Sequence, residues 1–155
     1  MKIPTTQVAA WLEKPHPEAT LLIRNDIEVP QPRAGEILVN LLYTGFCHSD
    51  IHYIHGDLPS TTDIPGHEGV GRVVKGSCIL ILNFSEPMPY ITDVEFVTLP
   101  AEFATVIPEG LEIEATAPLL CAGVTMFGAL RKLEKYCQRN DWVVILGAGG
   151  GLGHL

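Results

Sequence analysis

Proline and glycine cut the first two thirds of this chain into short apolar runs, and that punctuation constrains the fold more than any other feature. Residues 7–11, 21–29 and 36–43 are rich in Val, Ile, Leu and Thr, with Pro15, Pro17, Pro30, Pro32 and Gly35 between them. Residues 70–74 continue the pattern among Gly69, Gly71 and Gly76. β-Branched runs suit a pleated surface, whereas frequent proline and glycine break helices. Many short strands joined in this way predict a small, partly closed β-barrel.

From Ala115 the character changes. Pro118, with Thr116 as a cap before it, opens a predicted, largely buried helix over residues 119–133, and Arg131, Lys132 and Lys135 suit its negative C-terminal end. Residues 142–146 (WVVIL) form a continuous apolar run, as expected of a strand buried on both faces of a parallel sheet. The glycine-rich stretch 147–153 (GAGGGLG) follows at once.

Composition narrows the functions. With 10 basic and 18 acidic residues the net charge is −8, which argues against nucleic-acid or anionic-membrane partners. Residues 1–10 lack the long apolar run of a secretory leader, and residues 119–130 are too short and too interrupted to span a bilayer, so the expected address is cytoplasmic. The four cysteines, Cys47, Cys78, Cys121 and Cys137, include no CxxC pair. Without a leader, disulfides are disfavoured, which leaves core thiols, metal ligands or a nucleophile.

Chemistry concentrates at residues 45–56 (GFCHSDIHYIHG), which hold Cys47, His48, Ser49, Asp50, His52 and His55. Alone, this is as well read as a polar surface loop. His67 and Glu68 lie between Gly66 and Gly69, which allow tight turns, and Cys121 alone reads as core packing. Together, Cys47, His67 and Cys121 supply two thiolates and an imidazole, a set that neutralises zinc and leaves a fourth position open. The glycines Gly147, Gly150 and Gly153 give GxxGxxG rather than GxGxxG, and read equally as a pyrophosphate-binding turn or a flexible tail.

The segments TGFCHSDIHYIHGDLP, IPGHEGVGRVV, PLLCAGVTMFGAL and VVILGAGGGLG, in that order, resemble the zinc-dependent medium-chain alcohol dehydrogenases of the fungal and yeast type. The resemblance implies an α+β, mostly β architecture: a GroES-like catalytic domain over residues 1–114, then a connecting helix and the first strand of a Rossmann domain over residues 115–155. It implies that Cys47, His67 and Cys121 hold one catalytic zinc with Glu68 behind it, and that Asp50 orients His67. It further implies that Ser49 bonds the alcohol oxygen and His52 receives the relayed proton. His48, Thr125, Gly147, Gly150, Gly151 and Gly153 then face NAD, and Leu58 lines the substrate pocket. A small alcohol or aldehyde is the implied substrate, and association into oligomers or with full-length subunits is the implied assembly.

Two departures qualify that picture. A dinucleotide site needs the rest of a βαβ unit and an acidic residue about 20 positions past the glycines, so tight NAD binding is expected to require more than the sequence up to Leu155. The family's structural-zinc lobe, with its four cysteines, is replaced by an atypical segment over residues 76–96 holding only Cys78. Residues 78–84 there read as a strand or as exposed, aggregation-prone sequence. The alternatives are a non-catalytic zinc-binding or interaction module derived from such an enzyme, and a zinc-free reductase of the same superfamily. The joint presence of Cys47, His67 and Cys121 argues against the last.

Overall fold

The computed structural model describes residues 2–59, 62–76, 80–82 (backbone only) and 92–155. Strands β1 (Thr6–Trp11) and β2 (Leu22–Glu28) form an antiparallel pair. The remaining strands are β3 (Glu36–Gly45), β4 (Glu68–Lys75), β5 (Leu80–Leu82), β6 (Phe96–Pro100) and β7 (Ala104–Thr105), and they build a five-stranded antiparallel sheet in the order β6-β3-β4-β5-β7. The expected strands therefore form, within a residue or two of their predicted ends. The sheets are small and do not close.

β3 is the centre of this arrangement. Successive side chains of a strand point to opposite faces, so Ile37 and Val39 enter one buried cluster with Ala9, Val97 and Leu99, while Leu38 enters another with Val29 and Phe96. Gln7 ties the two sheets together: its Nε2 donates to the Glu28 carbonyl at 3.3 Å and its Oε1 accepts from the Phe96 N–H at 2.6 Å. A buried amide satisfied on both sides avoids the roughly 1–3 kcal/mol penalty of an orphaned polar group.

Helix α1 (His48–His55) follows β3 directly. No hydrophobic period announces it, because the helix has only 8 residues and its buried side holds Asp50 beside Tyr53 and Ile54, the last two packing with Leu12. β6 is likewise unannounced, since it begins at the edge of the atypical segment. Cys78 lies outside the described residues, as does most of the stretch 78–84; the part that is described, β5, is a strand.

The region after Ala115 departs from expectation. Instead of one helix over 119–133, the chain forms α2 (Ile113–Thr116), a 3-10 turn (Ala117–Leu120) and α3 (Ala122–Leu133). Pro118 lies in the first turn of the 3-10 segment, and Thr116 does not cap: its hydroxyl donates backwards to the Glu112 carbonyl at 2.8 Å. No residue of α3 is buried. Residues 142–146 form no strand and leave Trp142 99% and Leu146 91% exposed, because none of the described strands pairs with them. A buried parallel strand needs neighbours on both edges and layers on both faces.

Candidate metal centre

Three junctions bring the site together. β3 ends at Gly45, where an added Cβ would displace the Glu68 side chain from its present position. Cys47 then precedes α1. Asp50, in the first turn of α1, turns its Oδ2 back to accept from the Cys47 N–H at 2.9 Å and presents Oδ1 to His67 Nδ1 at 2.8 Å. One buried carboxylate thus fixes two candidate ligands. His67 follows Gly66, whose φ of 93° favours glycine, and enters β4. Cys121 occupies the break between the 3-10 turn and α3, and α2 and that turn pack against β3 and β4.

The result is a cluster in which one donor atom each from Cys47, His67, Glu68 and Cys121 lies within 4.8 Å of all the others. Because an ionised carboxylate only accepts, the Asp50 contact places the proton on His67 Nδ1 and leaves Nε2 as the ligating atom. The Cys47 and Cys121 sulfurs are 3.8 Å apart. That is far beyond the roughly 2.05 Å of a disulfide, and it matches the edge of about 3.8 Å that two thiolates at about 2.3 Å span on a tetrahedral zinc. The donor set therefore fits a zinc ion.

Charge is arranged to suit. Burial alone raises the Cys47 thiol, but hydrogen bonds from the Ser49 backbone and hydroxyl, the Cys121 thiol and the positive His67 outweigh it and lower the pKa overall. Burial and the neighbouring Cys47 push Cys121 up to about 12, so its proton leaves only when a cation draws it off. Burial opposes the charged form of His67, and Asp50 more than offsets it, raising its pKa. Burial raises Glu68.

A cavity of about 970 Å³ opens onto the cluster. His48, Ser49, Thr125 and Gly151 line it, as do Phe46 and Leu152. Several candidate residues stand elsewhere. His52 does not line this cavity; its Nδ1 donates to Asp57 Oδ2 at 2.9 Å, and its ring meets that of His48 edge-on. Leu58 is 40% exposed and outside the lining. Gly147, Gly150 and Gly153 lie in turns outside the cavity lining, with only Gly153 of the three partly buried. Sequence reasoning passed over Phe46, although an aromatic residue between Gly45 and Cys47 was a visible signal. It also passed over Asp57, whose pairing with His52 depends on the turn after α1.

Among the described residues no single helix is long and apolar enough to cross a membrane. Residues 33–78 match the alcohol dehydrogenase GroES-like domain. The chain is 34% identical to an alcohol dehydrogenase of Schizosaccharomyces pombe over 191 residues, covering 100% of this chain and 54% of the relative. It is 33% identical to alcohol dehydrogenase 2 of Emericella nidulans, covering 99% and 52%. A match over 191 residues for a chain of 155 means that the relative carries a few tens of residues absent here. A cobalt- and zinc-bound thermostable alcohol dehydrogenase from Pyrobaculum aerophilum shares the fold with a TM-score of 0.80 at 18% identity, over 96% of this chain and 54% of that one. The chain spans about half the length of the curated relatives it matches. Residues 33–78 thus carry a GroES-like domain of the alcohol dehydrogenase type, and the whole length of the chain is similar to about half of such enzymes.

Proposed function

We propose that this chain is the zinc-holding, alcohol-activating half of an alcohol dehydrogenase that oxidises a small alcohol to an aldehyde or ketone with NAD as acceptor. The observation that carries the reading is the convergence of Cys47, His67, Glu68 and Cys121 on one point, with Asp50 fixing His67. Zinc bound there supplies a Lewis acid that lowers the pKa of an alcohol toward neutrality. The chain's own residues do the rest. Ser49, on the cavity wall with a hydroxyl that both donates and accepts, orients the alcohol oxygen. His52, with Nδ1 committed to Asp57, keeps Nε2 to take the departing proton. His48 and Thr125 line the side from which a nicotinamide nucleotide would approach. No hydride-transfer step is assigned to the residues described. The domain division at residues 114 and 115, the cytoplasmic address and a homo-oligomeric or mixed assembly belong to the same proposal.

Metal analysis tests the core of it. Refolded chain is expected to retain about one zinc after dialysis, and Cys121→Ser is expected to weaken binding by more than the roughly 10–100-fold of an outer-shell loss. Protein that emerges empty after exposure to excess zinc overturns the reading. NADH formation from ethanol and NAD by zinc-loaded chain supports catalysis. A flat trace favours the second reading, a zinc-binding interaction module, for which the exposed apolar residues of 142–146 speak.

A further inference from the structure

We propose that His48 and His52 form a second, separate site for a divalent transition ion on the surface of α1, of the imidazole-preferring class that includes nickel and copper. The two residues stand one helical turn apart, the spacing at which side chains become neighbours. Their ring centroids are 5.0 Å apart. Two imidazoles sharing one metal at about 2.1 Å place their ring centres roughly 4.5–5.2 Å apart, depending on whether the angle at the ion is square or tetrahedral. The rings therefore already stand at a separation compatible with sharing one ion.

An edge-on ring contact alone accounts for that distance, and a second feature separates the two explanations. His52 Nδ1 donates to Asp57 Oδ2 at 2.9 Å. This carboxylate holds the His52 tautomer and leaves Nε2 free, which is the buttress that metal-bound histidines carry. Asp57 thus repeats at the surface what Asp50 does for His67 in the buried cluster. The chain's net charge of −8 favours a cation. The positive N-terminal end of α1 opposes one, so the site is weaker than the thiolate centre. Neither Cys47 nor Cys121 takes part, so nickel and zinc binding are separable, although an ion here would compete with the roles proposed above for His48 and for His52 Nε2.

Equilibrium dialysis of nickel against chain carrying one equivalent of zinc tests this. One nickel is expected to bind with the zinc retained. His48→Gln and His52→Gln are each expected to weaken nickel at least about tenfold and Asp57→Asn by roughly 10–100-fold, with zinc content reporting that each variant is folded. His16→Gln, whose ring Nδ1 already accepts from the Glu18 N–H, is expected to change nothing. Cys121→Ser is expected to keep the nickel site even where zinc is lost, which separates failure here from failure of the zinc centre. Nickel binding that survives both histidine changes, that is abolished by His55→Gln instead, or that releases an equal amount of zinc overturns the proposal.

Discussion

Leu38 and Val39 in β3 are wholly buried, whereas Trp142, Val144 and Leu146 are 99%, 82% and 91% exposed. Both stretches are apolar, and both adjoin glycines. The difference lies in what each backbone can pair with. β3 has β4 on one edge and β6 on the other, and its alternate side chains feed two clusters. Residues 142–146 have no strand beside them among the described residues. Hydrophobicity states what a segment needs, and topology decides whether the need is met.

The sharpest way to break that contrast is to make one substitution in both regions. Leu38→Ala removes a fully buried side chain and is expected to cost about 2–5 kcal/mol. Leu146→Ala is expected to stay within about 0.5 kcal/mol. Urea midpoints measure both. A large loss at Leu146 means that the run is covered in solution and that the two regions are alike.

The second contrast concerns the site. Asp50→Asn leaves shape intact but removes the charge that orients His67, and zinc affinity is expected to fall roughly 10–100-fold by competition with a chelator. Gly151→Ala, at a position where an added Cβ meets nothing, is expected to leave zinc affinity unchanged. An equal loss from both places the glycine turns in the metal centre and erases the distinction.

What could be read from sequence divides along the same line. The strands β1 to β4 were legible because alternation and turn residues are local signals, and residues 45–56 were legible because Cys, His and Asp were crowded there. The convergence of His67 with Cys47 came from the family resemblance and from no local pattern, since it depends on β3 and β4 pairing so that Gly45 faces Glu68. Cys121 was placed on a helix, yet it sits at a helix break, where Pro118 tightens the preceding turn into a 3-10 form. The run 142–146 was misread for the opposite reason: its local pattern is that of a strand, and pairing is a non-local condition. His52 carries a third lesson, because its partner Asp57 was fixed by the turn after α1 and by no motif.

The smallest expected effect lies on the ordered side, at Asp93. Its backbone joins the two sheets: the carbonyl accepts from Ala10 N–H at 2.8 Å, and the N–H donates to the Pro65 carbonyl at 3.0 Å. Burial, helped by the charge of Asp50, raises its carboxyl from 3.8 to about 6, and a hydrogen bond from the Thr44 hydroxyl only partly offsets this. The folded state therefore holds this proton more tightly than the unfolded chain does. By linkage, the contribution of Asp93 to stability is greatest below pH 3.8 and is lost as pH rises through about 6. Asp93→Asn keeps an acceptor for Thr44 and removes the charge. With partial solvent access screening most of the shift, the variant is expected to gain about 1 kcal/mol at pH 7 and none near pH 4. Urea titrations of both proteins across that range read it directly. A variant no more stable than the parent at pH 7 means that the carboxylate is solvated there, and that the joint between the sheets is as open as the stretch beyond Trp142.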